Sequence, residues 1–212
     1  NDGPGARNRC LVCRQPAITD GDTWRQVMDD RKEMTLDGFY KEWNSALSTV
    51  IVNTSGSTGK PKSIRVEKSR MIESAKMTCS FLGLTSDDSA LLCMPLRYIA
   101  GKMVVVRTIV SGMRLISIPP TSHPLKDLDD IPTFAAMVPM QVFNSLSVPE
   151  EADKLKRIKN LIIGGGPVND LLYSKLQHFP NAVWSTYGMT ETLSHIAMRR
   201  LNGPTASEYY IP

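Results

Sequence analysis

Between residues 89 and 186, short β-favouring apolar runs alternate with segments whose apolar residues recur at helical spacing, and this alternation constrains the fold more than any other feature. The runs 89–94, 114–118, 133–138, 160–163 and 182–186 predict strands. The segments 101–110, 140–146, 151–158 and 169–178 predict helices between them. A strand followed by a helix and then another strand closes economically only as a crossover, so the expected architecture is α/β with mostly parallel strands flanked by helices. Upstream, 35–47 reads as an amphipathic helix with Thr35 as N-cap, its Phe39, Tyr40 and Trp43 stripe serving as core, and 49–54 reads as a buried strand. Ile64 and Val66 suggest another short strand, and Met71, Ile72, Ala75, Cys79 and Leu82 a helix that stops at Gly83. The expected division is an irregular leader over 1–34 and a core over 35–212. Pro- and Asp-rich 119–132 reads as a surface loop or seam, and the charge run 150–159 as a solvated helix face.

Composition matters mainly for what it excludes. With 42% hydrophobic residues in 212, the chain can bury a sizeable core, so disorder and a disulfide-stapled scaffold are both ruled out. Lys and Arg number 25 against 21 acidic residues, a net +4 that is too small for a nucleic-acid stripe, leaving small anions as partners. Cys10-x-x-Cys13 lacks a second Cys or His pair at zinc spacing, and the four cysteines are expected to be reduced and inert. The N-terminus has no signal-peptide core, and the longest apolar run, 103–110, is broken by Arg107 and Thr108. A soluble, cytoplasmic protein without membrane insertion is expected; a homodimer is left open.

Three breaks in the pattern point to chemistry. Thr54, Ser55, Gly56, Ser57, Thr58, Gly59, Lys60, Pro61 and Lys62 follow a strand directly. Two glycines turn the backbone so that N–H groups face inward, while hydroxyls and lysines add donors and charge, a set suited to phosphate oxygens. It is not a Walker A loop, because Thr54 stands at the first glycine position and Pro61 follows the lysine. Gly164, Gly165, Gly166 and Pro167 end a strand without side chains, leaving room for a flat ligand, although a tight strand-to-helix turn explains them equally well. Thr186, Tyr187, Gly188, Met189, Thr190 and Glu191 bring together an aromatic ring, hydroxyls and a carboxylate that could stack a base, bond a phosphate and hold Mg²⁺; a capping turn is the competing reading.

Taken in order and spacing, these segments resemble the signatures of the ANL superfamily of adenylate-forming enzymes: acyl- and aryl-CoA ligases, luciferases and peptide-synthetase adenylation domains. The resemblance covers about residues 49–199. Within the superfamily, Pro95-Leu96-Arg97-Tyr98-Ile99-Ala100-Gly101-Lys102-Met103 is similar to the acyl-pocket segment of o-succinylbenzoate-CoA ligases of menaquinone biosynthesis, with Tyr98 where many relatives carry His. The resemblance implies the large N-terminal domain of the acyl-CoA synthetase-like fold without its C-terminal lid. It also implies ATP and Mg²⁺ as cofactors, coenzyme A as co-substrate, and a two-step reaction through an acyl-adenylate.

On this resemblance Ser55, Ser57, Thr58 and Lys60 would hold the β,γ-phosphates, Thr190 the α-phosphate and Glu191 the metal. Thr190, Glu191 and Lys60 form the implied catalytic set. Tyr187 would stack on adenine against Gly164–Pro167, and Arg97, Tyr98, Gly101, Lys102 and His195 would line the acyl site. Arg97 and Lys102 would supply cations for a second substrate carboxylate, a surface arginine and a helix-start lysine being the equal competing reading. The ribose-binding Asp and lid Lys of the superfamily have no counterpart after Thr192, so the 212 residues by themselves are expected to turn over poorly. The alternatives are another aryl- or acyl-CoA ligase, an amino-acid adenylating domain, or an inactive nucleotide-binding fragment.

Overall fold

The structure, a computed structural model, describes residues 34–54 and 62–212. Cys10, Cys13 and the loop 55–61 therefore lie outside the described residues, as does almost all of the stretch read as a leader. Helix α1, Leu36–Asn44, is capped by the Thr35 side chain, which accepts from the Gly38 N–H, and it buries Phe39 against Trp43. Strands β1 (Thr49–Asn53) and β2 (Ser63–Glu67) pair antiparallel in a small sheet of their own. The phosphate-loop sequence is thus the connection of a hairpin.

Helix α2, Lys68–Leu82, ends at Gly83 in the left-handed region, at φ 63°, as its stop signal required. Then follow β3 (Ser89–Leu92), α3 (Ile99–Ser111), β4 (Arg114–Ser117), β5 (Phe134–Met137), α4 (Pro139–Leu146), α5 (Pro149–Arg157), β6 (Asn160–Ile163), α6 (Asp170–Leu176), β7 (Ala182–Gly188) and β8 (His195–Arg200). The six-stranded sheet runs β4-β3-β5-β6-β7-β8, parallel except for the antiparallel β7–β8 pair. Strands β3, β5 and β6 are buried throughout and, after Ser89 and Asn160 at the starts of β3 and β6, wholly apolar, as strands covered on both faces must be. Helix α3 is apolar on nearly every side, lying beside α2 and against the sheet, with Val104, Val105 and Val106 wholly buried.

Strand order reverses after β4, where the chain returns across β3 to β5. A crevice opens outside the carboxyl ends of the strands at such a switch point, because the connections leave in opposite directions. The buried amide of Gln141, on α4, holds this crevice together. Its Nε2 donates to the Cys93 carbonyl at 3.1 Å and the Thr121 carbonyl at 2.9 Å, while its Oε1 accepts from the Val138 N–H at 3.1 Å.

Two local expectations change. The 150–159 face is not wholly solvated: Glu151 is buried, accepting from Ser145 Oγ at 3.0 Å and meeting His123 Nδ1 at 2.8 Å. The 119–132 segment is irregular, yet Leu125 and Leu128 sink into the core.

Candidate active site

A cleft of about 1480 Å³ lies at the strands' carboxyl ends. That exceeds the roughly 300–1,000 Å³ of a site for one drug-sized ligand and suits two joined groups. One wall is the base of the hairpin loop. The Thr54 N–H donates to the Lys62 carbonyl at 2.9 Å and the Lys62 N–H to Thr54 Oγ1 at 3.0 Å, so both ends of 55–61 are clasped where they line the cleft. The hairpin is drawn to this position by the Asn53 N–H, which donates to the Arg97 carbonyl at 3.0 Å.

The triple-glycine turn forms a second wall. A Cβ on Gly164 would collide with Thr186 Oγ1, which itself donates to the Ile163 carbonyl at 3.2 Å. Bare backbone at 164 therefore lets adjacent strand ends close on each other. Thr186, Tyr187, Gly188, Met189, Thr190 and Glu191 run from the end of β7 into a single 3₁₀ turn, and all line the cleft. Tyr187 stands half out of the protein. Glu191 is exposed and has no side-chain partner among the described residues, where there is also no cluster of three or more metal-ligating side chains. One free carboxylate on the wall of a cleft fits Mg²⁺, which is commonly held by one or two carboxylates together with substrate phosphates.

The acyl-site residues divide. Tyr98 and His195 line the cleft. Arg97 instead turns to the surface and lies over the Tyr98 ring at 4.8 Å. Lys102 is wholly buried away from the cleft, its Nζ 3.0 Å from Glu42 Oε2 and 4.7 Å from the Phe39 ring centre. Gly101 is a packing residue, since a Cβ there would meet the Pro95 carbonyl at 2.5 Å. Arg97, Gly101 and Lys102 therefore do not line the cleft: Arg97 precedes α3 and faces solvent, while Lys102, on α3, faces Glu42.

Among the described residues two cations line the cleft: Lys62, at the base of the hairpin loop, and Arg107, one of the residues that interrupt the apolar run. Arg107 is 2% exposed, donates from one terminal nitrogen to Ser194 Oγ at 2.9 Å, and its Nε has no hydrogen-bond partner among the described residues. Burial lowers its pKa to about 10, so it stays charged at neutral pH. Ser194 Oγ lies 3.4 Å from His195 Nδ1, and His195 Nε2 3.2 Å from Thr78 Oγ1, which donates to the Ser74 carbonyl at 3.0 Å. Because that hydroxyl hydrogen is committed to Ser74, Nε2 carries the ring hydrogen and Nδ1 is the acceptor. Burial, then the neighbouring Arg107, lower the His195 pKa to about 4, leaving the imidazole neutral. Cys93 lies in the cleft floor, its thiol pushed up to about 12 by burial, which removes it as a competing nucleophile. Sequence reasoning missed Arg107, Ser194 and Gln141; a lone arginine in an otherwise apolar helical run was the available signal for the first.

This arrangement has relatives. The chain is 36% identical to an acyl-CoA synthetase (AMP-forming)/AMP-acid ligase II-like protein from Dyadobacter fermentans, with a TM-score of 0.77 over 85% of this chain and 54% of that one. It is 26% identical to the O-succinylbenzoate Coenzyme A Synthetase from Bacillus subtilis in complex with ATP and magnesium ion, with a TM-score of 0.57 over 71% of this chain and 32% of that one. A 2-succinylbenzoate–CoA ligase from Bacillus cereus is 29% identical over 178 residues, which are 82% of this chain and 36% of the relative's length. The chain thus spans about a third of that ligase. Among the described residues no helix is long and apolar enough to cross a membrane. Residues 12–210 match the family described as AMP-binding enzyme, so the cleft, its glycine turn and its Thr-Glu turn are those of a chain that belongs to the AMP-binding enzyme family.

Proposed function

We propose that this chain carries the nucleotide- and acyl-binding core of an acid–thiol ligase that activates o-succinylbenzoate with ATP and passes the acyl group to coenzyme A. The observation that carries this reading is a buried arginine with an unpartnered nitrogen in the same cleft as the Thr-Glu turn and the neck of the phosphate-type loop. A dicarboxylate needs such a pair of ends. One carboxylate reacts, and the other must be matched by a cation, because burying it alone is costly.

In the first step a substrate carboxylate oxygen attacks the α-phosphorus, a phosphorus–oxygen bond forms, and the bond to pyrophosphate breaks. The step asks for alignment and charge neutralisation, and no side-chain nucleophile is required. Ser55, Ser57, Thr58 and Lys60 hold the β,γ-phosphates, Thr190 bonds the α-phosphate, and Tyr187 stacks on the base opposite Gly164–Pro167. Glu191 holds Mg²⁺, which when bound offsets negative charge on the phosphate oxygens. Arg107, steadied by Ser194, takes the distal carboxylate, and neutral His195 keeps its Nδ1 lone pair within the polar end of the acyl site. In the second step the thiolate of coenzyme A attacks the acyl carbonyl carbon and AMP leaves.

The relatives' names support this substrate, and the acyl-site chemistry supports it independently. Pyrophosphate exchange into ATP by the full chain tests it. Exchange should depend on o-succinylbenzoate, fall sharply with benzoate, which lacks the distal carboxylate, and be abolished by Glu191→Gln. Equal exchange with benzoate would reject the dicarboxylate reading, and exchange unchanged in Glu191→Gln would remove Glu191 from the mechanism.

A further inference from the structure

Tyr210 lies 23 positions beyond Tyr187 in the sequence, outside the three motif segments, yet it lines the same cleft. Its ring centre is 6.1 Å from that of Tyr187, with the planes at 60°, so the two rings make an aromatic corner. The corner is built rather than incidental. The Tyr210 hydroxyl is 2.7 Å from Oγ of Ser185, a residue of β7 that is 2% exposed. The Arg199 guanidinium lies 5.4 Å from the centre of the Tyr210 ring. The neighbouring Ile211 exchanges two backbone hydrogen bonds with Met198 of β8, each 2.8 Å, which clamps the segment to the sheet edge. Tyr187, by contrast, is 54% exposed, and among the described residues its aromatic neighbour is Tyr210.

A half-exposed tyrosine that must present one face to a base loses rotamer freedom on binding, and a neighbour that restricts it beforehand reduces that cost. We infer that Tyr210 is a positioning residue of the base subsite: anchored through Ser185 and Arg199, it holds the Tyr187 ring in the plane that stacks on a purine. This rests on the adenylation reading above and deepens it. Tilted rings at this separation are a favourable aromatic geometry, and Tyr187 shares its cleft with the glycine turn.

The test compares binding of ATP and of inorganic tripolyphosphate, which shares the phosphates but has no base, to the full chain by calorimetry. Tyr210→Ala is expected to weaken ATP about tenfold and leave tripolyphosphate unchanged, since stacking on one aromatic ring is worth on the order of that factor. Tyr210→Phe keeps the ring but loses the Ser185 bond, and is expected to fall between Tyr210→Ala and the unaltered protein. ATP binding unchanged in Tyr210→Ala, or a loss shared equally by tripolyphosphate, would overturn the inference and leave the adenylation reading standing. An unaltered protein that binds neither ligand would overturn both.

Discussion

Lys102 and Arg107 are cations on the same apolar helix, and both are buried, yet they serve opposite ends of the structure. Five residues at 100° each place their side chains about 140° apart around the axis. Lys102 meets a carboxylate, Glu42, and its charge is neutralised inside the protein. Arg107 meets a serine hydroxyl and, among the described residues, no carboxylate, so on the proposed function its charge is matched by the substrate. Burial lowers both pKa values, but only Lys102 has a partner carboxylate that opposes the shift. A buried charge signals binding only when the fold leaves it unbalanced.

The sharpest way to break this contrast is Lys102→Met. Glu42 would be left buried without Lys102, and unfolding in urea should show a loss of about 3–5 kcal/mol. Adding Glu42→Leu to the same chain should restore much of that, and a stable single variant would mean that the pair is not what balances Glu42. Arg107→Met should do the reverse. Stability should change little, while kcat/KM for o-succinylbenzoate should fall on the order of 10²-fold, the usual consequence of truncating one partner of a buried charge pair. A large drop in melting temperature with unchanged kinetics would assign Arg107 to the core instead.

A smaller effect is set by His195, whose pKa falls from 6.5 to about 4 on folding. Between these values the unfolded chain takes up a proton that the folded chain refuses, so stability is complete above the upper value and declines as pH falls toward the lower. The loss at the acid end is at most roughly 3 kcal/mol. His195→Gln should flatten this part of the stability profile, and an unchanged slope would place the proton elsewhere. Smallest of all is the effect of a thiol reagent: Cys93 in the folded chain should resist iodoacetamide at neutral pH, as mass spectrometry of the intact protein would show, because its thiol is pushed up to about 12.

The parallel part of the sheet was legible because strands covered on both faces must be apolar throughout, and 89–94, 133–138 and 160–163 advertise this directly. Strand β8 was not, since His195–Arg200 mixes charged and apolar residues on an edge exposed to solvent, where no period dominates. Nor does a strand announce its sheet, and β1 with β2 stands apart from the rest. That Thr190, Glu191 and the glycine turn line one cleft was legible because backbone turns demand particular residues locally. The choice between Lys102 and Arg107 was not, since it depends on Glu42, 60 residues away from the lysine in sequence.

Glu42 has one more consequence. Its Oε2 receives Lys102 from the helix that carries Arg107, and its Oε1 accepts from the Ile51 N–H at 2.6 Å, on the strand that leads into the hairpin loop. A single carboxylate therefore braces the strand that enters the hairpin loop against the helix that carries Arg107, so the spacing of two walls of the cleft is set from inside the protein. Glu42 is in that sense a surveyor's mark for the cleft, the one peg from which both walls are measured.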